Sequence, residues 1–198
     1  MHSDIVDLSE LYSFVRKNKI VPHRSKDGEI YRPFKRIFFK LIERVPKKTG
    51  WYHWVGVNNV FKSIYIGKSD GNTSYHLHRR IEEELAEEYV ALWGTVYDEN
   101  DVLDTFNEKY GYKAYNKGRH ERAMKKMGVT HILWSSVNEN LSKATIKNVE
   151  DKLIQHFNPI ANEKRTVPSE ADLELFESIK DNFQALINQV QKKHNKIS

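Results

Sequence analysis

The chain has 198 residues, of which 39% are hydrophobic and 12% aromatic, enough apolar material for the core of one domain. Its formal net charge of +5 permits a polyanionic partner without identifying one. The sequence contains no cysteine, which excludes disulfides and cysteine-based zinc sites. The N-terminal segment lacks the basic start and apolar run of a signal peptide, and no stretch reaches membrane-spanning length, so we expect a cytoplasmic protein.

The first 48 residues predict a helical extension. The pattern of residues 4–15 indicates a short helix, and a second helix is expected after Pro33. The apolar residues of that second helix fall on one stripe, which comprises Ile37, Phe38, Leu41 and Val45.

Residues 51–67 predict a two-stranded β-ribbon. If Asn58 and Asn59 form a two-residue turn, Tyr52 and Tyr65 lie directly opposite each other on one face. Such a pair is ordinarily packing, worth a few tenths to about 1 kcal/mol. Because Gly67 and a polar loop follow the second strand, the pair also has an open approach.

The remaining elements are expected to be mainly helical. A helix over residues 75–92 buries Leu77, Ile81 and Leu85, while the acidic run 82–88 faces solvent. A less regular insertion at 94–130 precedes a strand. Three sequence signals bound the last two helices: a cap at Ser142, a stop at Asn158-Pro159, and a capping box of Ser169 and Asp172.

Two charged residues lie beside apolar stripes of these helices. Glu150 is at the rim of the stripe formed by Ile146 and Leu153, where a carboxylate costs free energy unless it is paired or bound to a cation. Arg80 stands next to Ile81. Each residue has an ordinary alternative, because Glu150 can reach water or a lysine and Arg80 can form a surface ion pair.

The order of these pieces resembles the GIY-YIG nuclease family, whose pattern is a G-x-Y strand, a strand ending in Y-x-G, an L-x-x-R helix, a helix with Glu, and P-x-x-N. The matching segments here are Gly50-Trp51-Tyr52, Tyr65-Ile66-Gly67, Leu77-His78-Arg79-Arg80, Glu150 and Pro159-Ile160-Ala161-Asn162. The resemblance covers residues 50–81 and 131–162. It implies an α+β fold with a small, mainly antiparallel central sheet flanked by helices, in which residues 49–163 are the nuclease-like core of a single domain. Beyond that core, the helical period predicts a C-terminal helix within residues 164–198, with an inward apolar stripe of Leu175, Ile179, Phe183, Leu186, Ile187 and Val190.

The sequence departs from the family pattern at several positions. Trp51 replaces an aliphatic residue, and the loop before Arg80 is long, so Arg79 competes with Arg80 for the same role. Some members of the family carry a histidine where this chain has Glu84. The roles of His76 and His78 stay open.

The resemblance implies hydrolysis of DNA phosphodiester bonds with one Mg²⁺, or Mn²⁺ as its substitute, held by Glu150. Tyr52 is then the general base or a relay, with Lys68 the candidate cation that eases its ionisation. Tyr65 positions the water or the phosphate, Arg80 binds the scissile phosphate, and Asn162 orients the Glu150 helix or the water. By elimination within the family, a restriction-type or phage-related endonuclease remains.

A basic, tyrosine-containing stretch at residues 109–127 is the candidate surface for double-stranded DNA. The alternative is a solvated helix and loop. Cleavage of both strands with one active site per chain would favour a homodimer. A non-catalytic nucleic-acid-binding module on a nuclease scaffold is the rival function, and a regulatory interaction protein is a third. The candidate DNA-binding residues are Lys113, Tyr115, Lys117, Arg119, Arg122, Lys125 and Lys126.

Overall fold

The computed structural model describes residues 1–18, 37, 39–58, 60–69, 75–87, 92, 96, 125–163 and 172–196. Four strands and four principal helices follow one another along the described chain. In order, they are β1 (His2–Asp7), α1 (Ser9–Lys17), β2 (Gly50–Val57), β3 (Phe61–Ser69), α2 (Leu77–Glu87), β4 (His131–Ser136), α3 (Lys143–Phe157) and α4 (Leu173–Asn195).

The strands form one antiparallel sheet in the order β1-β4-β2-β3. This arrangement confirms the α+β class and the mainly antiparallel central sheet. The prediction of a helix over residues 4–15 is wrong for its first part, because His2–Asp7 pairs with β4 and only Ser9–Lys17 is helical. The N-terminal 48 residues are therefore not only a helical extension, since they supply an outer strand of the sheet.

Each face of the sheet has its own core. The first face packs against α1, the segment around Ile42 and α2, and it includes Tyr52 and Trp54. The second face packs against α3 and α4 and includes Trp51 and Val55. Successive side chains of β2 point alternately into the two cores, because neighbouring residues of a strand face opposite sides of the sheet and both sides are covered here.

The helix ends follow local chemistry. The Ser142 hydroxyl accepts a hydrogen bond from the Thr145 amide at 3.0 Å, so the predicted cap of α3 is confirmed. Asn158 adopts φ 44° after the last turn of α3, which ends where it was predicted to end. The capping box of the last helix is wrong, because Asp172 itself precedes the first turn and its side chain makes no capping bond.

Helix α4 lies against the second face of the sheet. Its apolar stripe is buried, so the stripe is used in packing within the chain. No helix of the described residues is both long and apolar enough to span a membrane. The buried residues of the stripe are Phe176, Ile179, Phe183, Leu186, Ile187 and Val190.

Candidate active site

A cleft of about 500 Å³ lies between the hairpin of β2 and β3 and the two helices α2 and α3. It brings together five of the six residues that the sequence predicted to be catalytic. They come from four separate elements, β2, β3, α2 and α3, and α3 is remote in sequence from the other three. We call it the tyrosine cleft, lined among others by Tyr52, Tyr65, Lys68, Tyr75, Arg80 and Glu150.

The two tyrosines share a face of the hairpin but are not directly opposite each other. Tyr52 pairs with Gly67, and Tyr65 pairs with Trp54, so the predicted register is wrong by two residues. The tyrosine rings are diagonal neighbours, with centroids 6.2 Å apart and planes tilted by 49°. Tyr52 is fully buried, whereas Tyr65 is partly exposed to the cleft.

Gly67 is required by the position of the Tyr52 ring. A Cβ atom at residue 67 would lie 2.3 Å from both Cζ and Oη of Tyr52, far inside van der Waals contact. The ring therefore lies directly over the glycine backbone of the neighbouring strand. This contact gives a physical reason for the glycine that follows Tyr65-Ile66 and fixes where the Tyr52 hydroxyl ends.

A buried carboxylate, Glu84, holds that hydroxyl. Its Oε1 accepts a hydrogen bond from Tyr52 Oη at 3.1 Å and another from the Arg80 guanidinium at 2.6 Å. Its Oε2 accepts from Lys126 Nζ at 2.9 Å. The expectation that the whole acidic run 82–88 faces solvent is wrong at this position, because Glu84 is only 4% exposed.

The environment of Tyr52 disfavours its phenolate form. Burial raises the pKa of Tyr52 well above its ordinary value, and the negative charge of Glu84 raises it further, against the opposing effect of Arg80. A nearby cation, Arg80, does lower the pKa of this phenol, but burial and Glu84 outweigh its effect. Tyr52 is a protonated donor to Glu84, and Lys68, the cation that the sequence predicted for this effect, lines the same cleft.

Arg80, not Arg79, faces the tyrosine cleft. Arg80 side-chain nitrogens contact Glu84 and, at 3.8 Å, Glu83, and one third of the side chain stays exposed. Arg79 instead pairs with Glu83 at 2.8 Å on the outer side of α2. The geometry thus favours Arg80 for the role that the sequence left between the two.

The histidines that precede Arg80 do not line the cleft. His76 Nδ1 accepts a hydrogen bond from the Arg79 amide at 3.1 Å, at the start of α2. The rings of His76 and His78 contact each other, with centroids 6.0 Å apart. Burial lowers the pKa of both imidazoles. Their contacts are those of a helix start.

Glu150 is the carboxylate that α3 presents to the cleft. It is 6% exposed and lies on the same helix as Lys147, which also lines the cleft and pairs with Asp151 at 2.6 Å. In the described part of the chain, no group of three or more His, Asp or Glu side chains could enclose a metal. A single carboxylate in an open cleft fits Mg²⁺, which retains several waters and binds through one or two carboxylates plus substrate phosphates.

Asn162 lies next to the cleft rather than in it. Its side-chain amide donates to the Ile66 carbonyl and accepts from the Ile66 amide, both at 2.8 Å. Because β3 is an outer strand, these two bonds complete its free edge immediately before Gly67. Asn162 therefore ties the segment that follows α3 to the strand that carries Tyr65.

Most of the predicted DNA-binding stretch lies outside the described residues: Lys113, Tyr115, Lys117, Arg119 and Arg122. Lys125 is exposed. Lys126 corrects the prediction, because it is only 1% exposed and its ammonium lies 3.9 Å from the centroid of the Tyr65 ring as well as against Glu84. A side chain so enclosed and paired with Glu84 lies behind the residues that line the cleft and is not an exposed phosphate contact.

Sequence reasoning thus missed Glu84 as a member of the site, and it named Lys126 only as a DNA-binding residue. A signal existed for Glu84, since it lies three residues after Ile81 and seven after Leu77, on the buried stripe of α2. No comparable signal existed for Lys126, whose burial depends on tertiary contacts.

Comparisons of the chain with protein-family models, curated proteins and solved structures give no match.

Proposed function

We propose that this protein is a metal-dependent endonuclease that hydrolyses DNA phosphodiester bonds, of the GIY-YIG type and restriction-like or phage-related. The observation that supports it is the convergence of two phenols, a guanidinium and a carboxylate from four elements on one cleft. A phosphodiester is anionic and repels nucleophiles, so its hydrolysis needs charge neutralisation and an aligned water. The cleft offers groups for both needs.

Arg80 binds the scissile phosphate in this proposal. Its planar, permanently charged guanidinium is suited to two phosphate oxygens, and its partial exposure leaves nitrogen atoms available beside the bond to Glu84. Lys68 and Lys147 add positive charge at the cleft wall. Tyr65 places its hydroxyl toward the same phosphate or its attacking water.

Tyr52 orients the attacking water as a neutral phenol. Its hydrogen atom is donated to Glu84, and the Arg80 guanidinium is a hydrogen-bond donor to the same oxygen, which leaves one lone pair to accept from a water. A water that donates to this oxygen is directed toward a phosphate held by Arg80. This role replaces ionisation of the phenol, which its buried position opposes.

Glu150 holds one Mg²⁺ in the proposed enzyme, and Mn²⁺ can substitute for it. When bound, such an ion neutralises charge on the phosphate and lowers the pKa of a coordinated water. Glu150 supplies the protein ligand of the ion. Asn162 holds the segment after α3 against β3 through its two hydrogen bonds to Ile66, and so helps to fix the place of the Glu150 helix.

The test is incubation of the purified protein with supercoiled plasmid, in Mg²⁺ or in EDTA. We expect nicked or linear DNA only with Mg²⁺. Glu150→Ala should reduce cleavage to background while DNA binding, measured by fluorescence anisotropy in Ca²⁺, stays within a few fold of the wild type. Glu139→Ala provides the matched control, because this carboxylate is exposed and lies outside the cleft.

Each outcome has a defined meaning. Binding of plasmid without any cleavage in Mg²⁺ or Mn²⁺ would select the non-catalytic binding module in place of the enzyme. Metal-dependent cleavage that survives Glu150→Ala would remove Glu150 from the role of metal ligand. Sequencing the ends of cleaved DNA would then define the recognition sequence and whether the two strands are cut symmetrically, as a homodimer predicts.

A further inference from the structure

We propose that Lys126 is a positioning residue of the tyrosine cleft: it compensates the charge of Glu84, so that Glu84 orients Tyr52 and Arg80 while Arg80 keeps its attraction for a phosphate. The inference rests on the proposed function for its catalytic consequence. Its electrostatic consequence, the effect on Tyr52, is measurable whether or not the protein cleaves DNA.

The geometry makes Lys126 and Glu84 the support of the cleft. Glu84 contacts Tyr52 and Arg80 through Oε1 and Lys126 through Oε2. The Lys126 ammonium also lies 3.9 Å from the Tyr65 ring centroid and 5.1 Å from that of Trp54. Every phenol or guanidinium that we assign to the reaction therefore contacts one member of this buried pair.

The charges explain why a second cation is needed. Glu84 alone would form a neutral pair with Arg80, the residue assigned to the phosphate, and a neutralised guanidinium attracts an anion weakly. Lys126 provides the second positive charge on the other carboxylate oxygen. The group of Glu84, Arg80 and Lys126 then carries a net positive charge next to the cleft, while Glu84 still fixes the direction of both of its Oε1 partners.

Stability alone is a weak explanation for such a pair. Desolvating two charges costs about as much as their attraction returns, and apolar replacements of buried ion pairs are often as stable. Lys126 is enclosed to 1% and Glu84 to 4% exposure, so the desolvation is nearly complete. A role in orienting the cleft gives the pair a function that apolar side chains could not supply.

The kinetic test compares Lys126→Met with the wild type in steady-state plasmid cleavage. We expect kcat to fall by at least tenfold with KM within threefold, because the change disturbs Arg80 and Tyr52 but leaves exposed DNA contacts in place. Lys126→Gln, which can still donate to Glu84 but lacks the charge, separates the hydrogen bond from the charge and should keep kcat low. It also serves as the test variant if Lys126→Met does not fold.

A matched control removes stability without touching the cleft. Val190→Ala deletes buried methyl groups from α4 on the opposite face of the sheet. All variants are assayed at a temperature at which circular dichroism shows them folded. If Lys126→Met or Lys126→Gln, so verified, keeps the wild-type kcat, the positioning role is refuted.

A spectroscopic titration tests the same pair independently of cleavage. Absorbance at 295 nm follows tyrosine ionisation, and subtraction of the Tyr52→Phe curve isolates Tyr52 from the other nine tyrosines among the 10 of the chain. The titratable and charged groups around Tyr52 are Glu84 and Arg80 on α2, Lys126 behind Glu84, Tyr65 and Lys68 on the hairpin, Tyr75 before α2, and Lys147 and Glu150 on α3. Removing Glu84 or Lys126 changes this balance in opposite directions.

We expect Glu84→Gln to lower the pKa of Tyr52 and Lys126→Met to raise it. If both pKa shifts are observed but no protein, including the wild type, cleaves DNA, the proposed nuclease activity is refuted and the electrostatic role of Glu84 and Lys126 stands. Cleavage by the wild type with an unchanged Tyr52 titration in both variants would refute the pair and keep the nuclease.

Discussion

Gly67→Ala tests the contact on which the tyrosine cleft depends. The added Cβ would lie 2.3 Å from Cζ and Oη of Tyr52, whereas ordinary contact begins at 3.4 Å. The ring must therefore move by about 1 Å, and it is fully buried, so its neighbours must move as well. A shift of that size would break the 3.1 Å hydrogen bond between Tyr52 and Glu84.

Two magnitudes follow from this displacement. Overpacking a filled core by one methyl group costs about 1–3 kcal/mol of unfolding free energy. A catalytic group misplaced by about 1 Å costs on the order of 10²-fold in rate. We therefore expect Gly67→Ala to be folded, moderately destabilised, and about a hundredfold slower in single-turnover cleavage, with DNA affinity little changed.

Gly56→Ala is the matched control. Its Cβ would lie 2.6 Å from the Gly128 carbonyl oxygen, so it meets rigid backbone at the hairpin end of β2 and does not touch the cleft. Urea denaturation should show a loss of stability at least as large as that of Gly67→Ala, with the single-turnover rate preserved in the folded protein. Cleavage by Gly67→Ala within threefold of the wild type would refute the link between the Tyr52 ring position and catalysis.

Three other changes have defined expectations. Tyr52→Phe removes only the hydroxyl and should slow single-turnover cleavage by about 10²-fold or more with DNA affinity retained; a normal rate would exclude Tyr52 from water orientation. Arg80→Ala should abolish cleavage, whereas Arg79→Ala, which loses an exposed ion pair, should stay within a few fold; the reverse result would reassign the phosphate ligand. Burial lowers the pKa of His53 from 6.5 to about 3. Below pH 6.5 the unfolded chain therefore binds a proton that the folded protein does not, and the free energy of unfolding falls as the pH is lowered toward 3. Urea denaturation between pH 6 and 4 should show a slope of about 1.4 kcal/mol per pH unit from this residue, which His53→Leu removes; an unchanged slope would contradict a buried neutral imidazole.

The parts of the fold that sequence predicted correctly are those that local chemistry decides. Ser142 caps α3 through a bond to an amide three residues away, and Asn158 ends it with a left-handed conformation that asparagine tolerates. The apolar stripe of α4 needed only the helical period. None of these features depends on a distant partner.

The parts that sequence did not predict depend on remote partners. His2–Asp7 is a strand because β4 offers it a free edge, and nothing in six residues at the N-terminus reveals that partner. Glu84 and Lys126 belong to the site because α2 and the segment before β4 meet over the tyrosines. For Glu84 the helical period indicated a buried position, but the residue also belongs to the acidic run 82–88, which favours exposure to solvent.

The hairpin shows how two wrong details can still give the correct face. The turn is one residue longer than predicted, since Val57 pairs with Phe61. That change alone would place Tyr65 opposite His53 on the second face of the sheet, because a shift of one residue reverses every side chain. A bulge between Trp54 and Val55 adds one more residue to β3 and reverses the faces again.

The bulge is therefore a condition for the proposed chemistry. It leaves Ile64 without a paired partner, and Ile64 and Tyr65, although consecutive, both pack with the core of the first face. Beyond it, Tyr65 stands beside Tyr52, and Tyr52 stands opposite Gly67, the residue with no side chain to obstruct its ring. The spacing between the tyrosine motifs thus has to accommodate both the turn and the bulge, and deleting one residue from the turn, at Val60, should place the second tyrosine on the wrong face and remove cleavage even if the chain folds.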